Sequence, residues 1–323
     1  MGLNPDRLVA AYDHLATLPQ QPVLPVALQP PQIFPILDST NRHLWDLWKT
    51  QDLPEGTAIV AEQQSAGKGQ RGRQWRSPLG GLYLSIALKP NLPVQDAALL
   101  TLCSSWGIAN ALRHCPDRDD PDHHYLDRNC PDQTLSPVKK GAVQPEPKVK
   151  IPVQVKWLND LILEGGKLGG ILTETRVRGD RIYQAIVGIG INWSNPVSDP
   201  GIALQPFLPE DSSLWLDSLE TLIALVHWGA IVGYDQWQRF GTVAMLPQYL
   251  DLLPHLGKII FWDGQPGEIV GVTEQGNLRV RLRSHSPAQS NPQGADRSGQ
   301  EIFLPPGSIR LGYPGQLNCR SAD

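Results

Sequence analysis

The residues from Gly67 to Pro78 read Gly67-Lys68-Gly69-Gln70-Arg71-Gly72-Arg73-Gln74-Trp75-Arg76-Ser77-Pro78, so glycines and cations alternate through one short polar stretch. Glycine lets a backbone approach a ligand closely, in conformations that a β-carbon forbids. Exposed N–H groups beside lysine and arginine suit phosphate or carboxylate oxygens. Trp75 adds a flat face on which a base can stack. The spacing is not that of a P-loop, in which a lysine and a hydroxyl follow the last glycine. Read alone, the stretch fits an anion-binding loop, a contact to single-stranded RNA or a solvated surface loop.

Two further groups carry possible chemistry. In Lys156-Trp157-Leu158-Asn159-Asp160 a strand is expected to end in a polar turn, and Lys167 then stands beside Gly169-Gly170 at the start of another strand. A lysine next to bare backbone is a point charge for a carboxylate or phosphate, and equally a solvated lysine on a hairpin. Gly188-Ile189-Gly190-Ile191-Asn192 is weak alone, because small residues permit close packing in any strand. No Ser–His–Asp or Cys–His arrangement stands out, so no covalent enzyme intermediate is expected. His114, Cys115, His123, His124 and Cys130 lie near one another in sequence, but their spacing matches no common zinc finger, and no structural zinc is expected.

These groups need a frame. Asp38, Ser39 or Thr40 can cap a helix with Leu44, Trp45, Leu47 and Trp48 on its apolar side. Strands are predicted over 57–62 and 82–88, on either side of the glycine-rich loop, and a buried helix over 97–112. The alternation of Val153, Val155 and Trp157 predicts a strand, followed by strands over 168–174 and 182–191 and a helix over 214–237. After Pro254, short strands over 258–262, 268–272, 278–282 and 302–304 suggest a small β-barrel, interrupted by a polar hairpin loop over 284–300. Residues 5–18 predict one short helix with Leu8, Val9, Tyr12 and Leu15 on one side, tethered through prolines to a compact part that starts at Ile33. The stretch 115–152 lacks apolar periodicity and reads as a mobile insertion.

Composition narrows the classes. The 323 residues hold 28 Lys plus Arg against 32 Asp plus Glu, a net charge of −4, with 41% hydrophobic residues. That supports a buried core in one large and one small domain and argues against a protein that coats nucleic acid. No apolar run reaches the ~18–20 residues of a membrane span. Asp6, Arg7, Asp13 and His14 stand where a secretory signal is apolar, and four scattered cysteines suit a reducing compartment. A cytoplasmic protein that does not enter membranes is expected.

Taken in order, Asp38-Ser39-Thr40-Asn41, the glycine–arginine loop, the Lys-Trp-x-Asn-Asp turn with its later lysine, and Gly-Ile-Gly-Ile-Asn resemble the biotin–protein ligase family (biotin–[acetyl-CoA-carboxylase] ligase), in the short form without an N-terminal DNA-binding domain. The resemblance implies an α+β fold: a class II synthetase-like mixed sheet with flanking helices, plus a small C-terminal SH3-like β-barrel. It divides the chain into an N-terminal extension (1–32), a catalytic domain (33–254) with the insertion at 115–150, the barrel (255–313) and a tail (314–323). It implies ATP-dependent conversion of biotin to biotinyl-5′-AMP and transfer to a lysine of the biotin carboxyl carrier protein of acetyl-CoA carboxylase. Biotin contacts carry over to Ser39, Thr40, Asn41, Gln64, Gly67, Lys68, Gly69, Gln70, Lys167 and Gly170. Nucleotide contacts carry over to Arg71, Arg73, Trp75, Asn159, Asp160 and Asn192, and the catalytic charges to Lys167, Arg71 and Arg73.

Mg²⁺ is implied as a companion of ATP, with Asp160 either positioning it or keeping the site's lysines in register. The glycine-rich loop is expected to be mobile without ligand and to close over the adenylate. Neither a DNA partner nor a membrane is implied, and the protein is expected as a monomer or homodimer. Two positions depart from the family pattern. Lys68 and Gln70 stand where arginines are usual, which shifts retention of the anionic intermediate toward Arg71 or Arg73. Leu158 replaces a proline, which loosens that turn. A lipoate–protein ligase and a nucleic-acid-binding protein remain the alternatives.

Overall fold

Burial along one central strand explains how the molecule is layered. In Gly81–Leu88, the side chains of Leu82, Leu84, Ile86 and Leu88 turn to one side and those of Tyr83, Ser85 and Ala87 to the other. Every residue of this strand is buried, so both faces of the sheet must be covered. The computed structural model describes residues 2–17, 28–115, 151–208, 214–283, 299–313 and 320–321. Most of the proline tether, the insertion beyond Cys115, the loop 284–298 and most of the tail lie outside the described residues.

The elements run α1 (Pro5–Thr17), β1 (Gln32–Phe34), α2 (Thr40–Thr50), β2 (Ala58–Ala61), β3 (Gly81–Leu88), β4 (Leu92–Pro93), α3 (Ala97–Arg113), β5 (Gln154–Lys156), β6 (Asp160–Leu163), β7 (Gly166–Arg178), β8 (Arg181–Asn192) and α4 (Leu219–Leu250). The main sheet has the order β1-β2-β3-β8-β7-β6-β5, with β4 added to the far end of β8. Only β1 and β2 are parallel, so the sheet is mixed. The terminal part holds β9 (Ile259–Trp262), β10 (Gln265–Val272), β11 (Leu278–Leu282) and β12 (Glu301–Leu304) in one antiparallel sheet of order β12-β11-β10-β9. A separate pair, β13 (Ile309–Arg310) and β14 (Arg320–Ser321), follows it.

One face of the main sheet carries α3 and α4. These two helices cross backbone to backbone: a β-carbon on Gly107 would lie 2.1 Å from the Gly229 carbonyl oxygen and 2.8 Å from Gly233 Cα. The opposite face carries α2, whose Leu44 and Trp48 bury against Ile59, Ala87 and Ile186. Over the rest of this second face, Gly188 and Gly190 of β8 and Gly170 of β7 add no side chains of their own, so Asn41 and Trp75 can come down onto the sheet. The cleft described below opens there.

Three expectations are revised. The helix at 5–17 is part of the main body: Leu8, Ala11, Tyr12 and Leu15 are buried in the main core, and Tyr12 Oη lies 2.7 Å from His227 Nδ1 of α4. Val9, expected on the inner side, is 47% exposed, and Ala11 takes its place. Asp160 opens a strand rather than closing a turn. The apolar run Leu161-Ile162-Leu163 behind it forms the rest of β6, fully buried between β5 and β7. Finally, α4 runs past Trp237 to Leu250 across a break at Gly241, whose φ of 75° only glycine adopts without strain. Its start is fixed by a reciprocal cap between Ser218 and Thr221.

The terminal sheet is docked on this frame. The tight turn between β10 and β11 offers the Gly276 carbonyl to Trp157 Nε1 at 3.0 Å, beside Ala98 and Leu99 of α3. Among the described residues no helix is long and apolar enough to cross a membrane.

Candidate active site

One end of the cleft is a polar floor at the start of α2. Ser39 takes the N-cap position, with Thr40 and Asn41 in the first turn, and all three are buried. Gln64 Oε1 accepts from Thr40 N at 2.8 Å and from Thr40 Oγ1 at 3.2 Å, while Gln64 Nε2 donates to Ser77 Oγ at 2.8 Å. From β3, Ser85 Oγ lies 2.7 Å from Thr40 Oγ1 and 2.6 Å from Asn41 Oδ1. Asn41 Nδ2 donates to Glu174 Oε2 at 3.1 Å. The floor is therefore a connected network held rigid by its own hydrogen bonds.

The other end is cationic. Asp160, at the start of β6, pairs across the ladder with Gly170, and a register shift at Leu161/Ile162 re-aims the strand so that Lys167 comes alongside Ile162. Lys167 Nζ then lies 2.8 Å from Asp160 Oδ1, and Lys156 Nζ lies 3.1 Å from Oδ2. Tyr313 Oη donates to Oδ2 at 2.8 Å, and Asn159 Nδ2 to Oδ1 at 3.3 Å. Burial by itself raises the Asp160 carboxyl, but the ammonium groups of Lys167 and Lys156, with hydrogen bonds from Lys167 and Tyr313, outweigh it and hold the group below its ordinary range. Burial lowers the Lys156 ammonium against the pull of Asp160.

The loop between β2 and β3 roofs the cleft as a hairpin. Gln64 N bonds Ser77 O, Trp75 N bonds Gly67 O at 2.9 Å, and Gly69 N bonds Arg73 O at 2.7 Å. At its tip Arg71 has φ 58°, and its guanidinium lies against Gly307 of the terminal part. Lys68 Nζ approaches Glu174 Oε1 at 3.8 Å. Between roof and floor is a space of about 520 Å³, within the usual range for a small-molecule site. Among the described residues, Lys68, Arg71, Arg73, Lys156, Lys167 and Arg310 line it against one carboxylate, Asp160, so its field favours anions.

Most of the expected residues meet here. Ser39, Thr40, Asn41, Gln64, Lys68, Gly69, Gln70, Arg71, Arg73, Trp75, Asn159, Asp160, Lys167 and Gly170 all line the cleft. Gly67 and Asn192 do not. A β-carbon at Gly67 would lie 2.5 Å from the Trp75 carbonyl oxygen, so this glycine lets the two arms of the hairpin close. Asn192 spends its amide on the Lys167 carbonyl oxygen at 3.3 Å and on Asn195, which fixes the backbone that carries Lys167. Trp75 lies over Gly190 of β8 with Lys167 Nζ 5.3 Å from its ring, so one side of its ring is already covered by the sheet. His123, His124 and Cys130 lie outside the described residues. Lys156 and Tyr313 were not anticipated. The alternation of Val153, Val155 and Trp157 already put Lys156 on the opposite face, whereas nothing near Tyr313 in sequence marks it.

Mg²⁺ held by the protein does not fit this geometry. Lys167, Asn159, Lys156 and Tyr313 meet the four lone-pair directions of Asp160. Among the described residues no group of three or more His, Cys, Asp or Glu side chains converges. Of the two roles open to Asp160, the contacts correspond to keeping the lysines in register.

Comparison with known proteins agrees with this architecture. Residues 33–192 match the Biotin/lipoate A/B protein ligase family. A Salmonella typhimurium protein, the bifunctional ligase/repressor BirA, is 35% identical over 296 residues, which cover 90% of this chain and 74% of that protein. The biotin–[acetyl-CoA-carboxylase] ligase of Paracoccus denitrificans is 28% identical over 247 residues, covering 73% of this chain and 86% of that protein. A solved biotin protein ligase from Aquifex aeolicus in complex with biotin and ATP shares the fold, with a TM-score of 0.53 at 21% identity, over 90% of this chain and 99% of that one. The chain spans 40% of the length of two Bacillus relatives. The chain belongs to the Biotin/lipoate A/B protein ligase family, among its biotin–protein ligases.

Proposed function

We propose that this protein activates biotin with ATP and transfers it to a lysine of the biotin carboxyl carrier protein of acetyl-CoA carboxylase. The observation that carries this reading is the polarity of the cleft: a hydrogen-bonding floor of Ser39, Thr40 and Gln64 at one end, and Lys156 and Lys167 on a shared carboxylate at the other. A ureido ring has donors and acceptors for such a floor. A lipoyl dithiolane has no donor and only weakly accepting sulfurs, which favours biotin over lipoate. Asn41 is committed to Ser85 and Glu174, so its part is to hold the floor.

In the first step a biotin carboxylate oxygen bonds to the α-phosphorus of ATP, and the bond to the bridging oxygen breaks to release pyrophosphate. Lys167 and Lys156 orient the two anions and offset the charge that builds on the phosphoryl oxygens. Arg71 and Arg73 meet the departing phosphates from the roof, with Asn159 and the Trp75 ring on the nucleotide side. Mg²⁺ arrives as part of the ATP substrate. In the second step the acceptor lysine's amine attacks the acyl carbon and AMP leaves, with no enzyme nucleophile required. Transfer of labelled biotin to a purified carrier domain tests the reading. Transfer with ATP and none without it is the expected result, and no transfer in either condition rejects it.

A further inference from the structure

Tyr313 reaches the cleft from the terminal part of the chain, 153 residues beyond Asp160 in sequence. Its hydroxyl donates to Asp160 Oδ2 at 2.8 Å, and the centroid of its ring lies 4.0 Å from Lys156 Nζ. Lys156 is thus held between a carboxylate oxygen and an aromatic face, an arrangement that fixes an ammonium group more narrowly than either contact alone. On the opposite oxygen, Asn159 and Lys167 form the matching pair of contacts. An aspartate carboxylate turns easily about its last torsion, so four donors in fixed places are what give this one a single orientation.

We propose that Tyr313 is a positioning residue for the ligase reaction: through Asp160 and Lys156 it sets where the two ammonium groups meet the anionic substrates. The proposal rests on the ligase reading above. Burial and the adjacent carboxylate both raise the Tyr313 phenol, so it remains a neutral donor through the working pH range. Because it is neutral, its removal alters the geometry of the cluster and leaves the charge count of the cleft unchanged. The charged groups that face Asp160 and Tyr313 are Lys156 from β5, Lys167 from β7 and Arg73 from the roof; His255, bonded to the Gly312 carbonyl, feels the charge of Lys156, which with burial lowers it.

Tyr313→Phe keeps the ring and removes the hydrogen bond. In biotin-dependent exchange of pyrophosphate into ATP, kcat is expected to fall about tenfold, the size of a lost hydrogen bond to a charged group. KM for biotin should barely move, because the polar floor is untouched. The acid limb of the pH profile should shift to higher pH, since a carboxylate that loses a donor titrates higher. The double variant Asp160→Asn/Tyr313→Phe should be no slower than Asp160→Asn alone if the tyrosine acts through that carboxylate. Carbon-13 NMR titration of the Asp160 carboxyl reads the same coupling without activity: its midpoint should rise in Tyr313→Phe. A Tyr313→Phe protein with wild-type kcat, acid limb and carboxyl titration overturns the proposal. Wild-type protein that shows no biotin-dependent exchange overturns the ligase reading, whatever Tyr313→Phe does.

Discussion

Lys167 Nζ lies 2.8 Å from Asp160 Oδ1, and the bond joins the first residue of β6 to the near end of β7. The backbone of Lys167 is pinned as firmly as its side chain: its N–H donates to the Pro200 carbonyl at 2.6 Å, and its own carbonyl accepts from Ile202 N and Asn192 Nδ2. A lysine fixed at both ends loses little freedom when it meets a substrate anion. Replacing it with alanine should leave the sheet intact and raise the barrier to adenylate formation by about 2.7–4 kcal/mol, the cost of losing one preorganised charge. Biotin-dependent pyrophosphate release measures this. Near-normal release by Lys167→Ala would remove the residue from the reaction.

The frame around this bond was legible where periodicity is strong, and hidden where contacts are made across the fold. Leu82, Leu84, Ile86 and Leu88 alternate without a break, and the strand there matches its expected span to within a residue. By contrast, β6 starts on the polar Asp160 and continues with three apolar residues, too few to set a period of their own. Gly241 interrupts the helical pattern of α4, so the second half of that helix carries no continuous stripe. The site divides in the same way. Lys167, Gln64 and the roof cations belong to local patterns. Tyr313 reaches the cleft, and Ser85 braces its floor from behind, only because the terminal segment and β3 are brought to it.

Asp160 sets the acid stability of this region. Its folded-state carboxyl lies below the ordinary value, so its contribution is complete above the unfolded carboxylate range and is lost as pH falls through the lowered folded value. His227, which burial lowers to about 3, pushes stability in the same direction, so the wild-type curve alone does not isolate the carboxylate. The difference between wild type and Asp160→Asn does. Near neutral pH the variant should be less stable by about 1–3 kcal/mol, because two partly buried ammonium groups lose their shared partner. Urea midpoints taken from pH 7 down to pH 3 should show that gap closing as the pH falls. A constant gap would mean that the pair contributes packing and no charge effect.

The helix at 5–17 should behave as core. Leu8 is almost completely buried against the main cluster, and Leu8→Ala should cost about 2–5 kcal/mol in chemical denaturation, with one cooperative transition. Arg7→Ala, on the outer side of the same helix, is the control and should cost under about 0.5 kcal/mol. If Leu8→Ala were as mild as Arg7→Ala, the helix would be an appendage after all.

Gly188 faces the polar floor, and a β-carbon there would lie 2.3 Å from Asn41 Oδ1, the oxygen that accepts from Ser85. Gly188→Ala must therefore displace Asn41, and with it the hydrogen bond from Ser85, whose oxygen also meets Thr40 Oγ1. Overpacking of this kind costs about 1–3 kcal/mol. The loss should appear in biotin affinity by calorimetry as well as in stability, since the displaced side chains form the floor. Gly170→Ala provides the contrast: its added carbon would stand 3.6 Å from Asp160 Oδ1 and 3.7 Å from Lys167 Nζ, ordinary contact distances. It should fold normally, and any loss of affinity must come from filling space that a ligand would use. Equal affinity in wild type and Gly188→Ala would show that the floor does not touch biotin.

The roof is fastened by few contacts, and they differ in kind. Its arms are joined by backbone bonds at Gly67–Trp75 and Gly69–Arg73, whereas toward the walls it has the packing of Trp75 over Gly190, the approach of Arg71 to Gly307 and an ion pair, Lys68 to Glu174 at 3.8 Å, with both partners partly exposed. Exposed pairs of this sort contribute about 0–1 kcal/mol, so the hairpin can keep its own shape and still swing as a unit. ATP bound beside biotin adds phosphate partners for Arg71 and Arg73, which line the cleft. Limited proteolysis with trypsin reads this directly, because Lys68, Arg71, Arg73 and Arg76 are all cleavage points. Biotin and ATP together should slow cutting between Gly67 and Trp75 several-fold, while biotin alone, which lacks phosphates, should slow it less. Equal cutting without ligand, with biotin and with both substrates would mean that the roof does not close on the intermediate, and shielding of the adenylate from water would then have to come from the terminal segment at Gly307 and Tyr313.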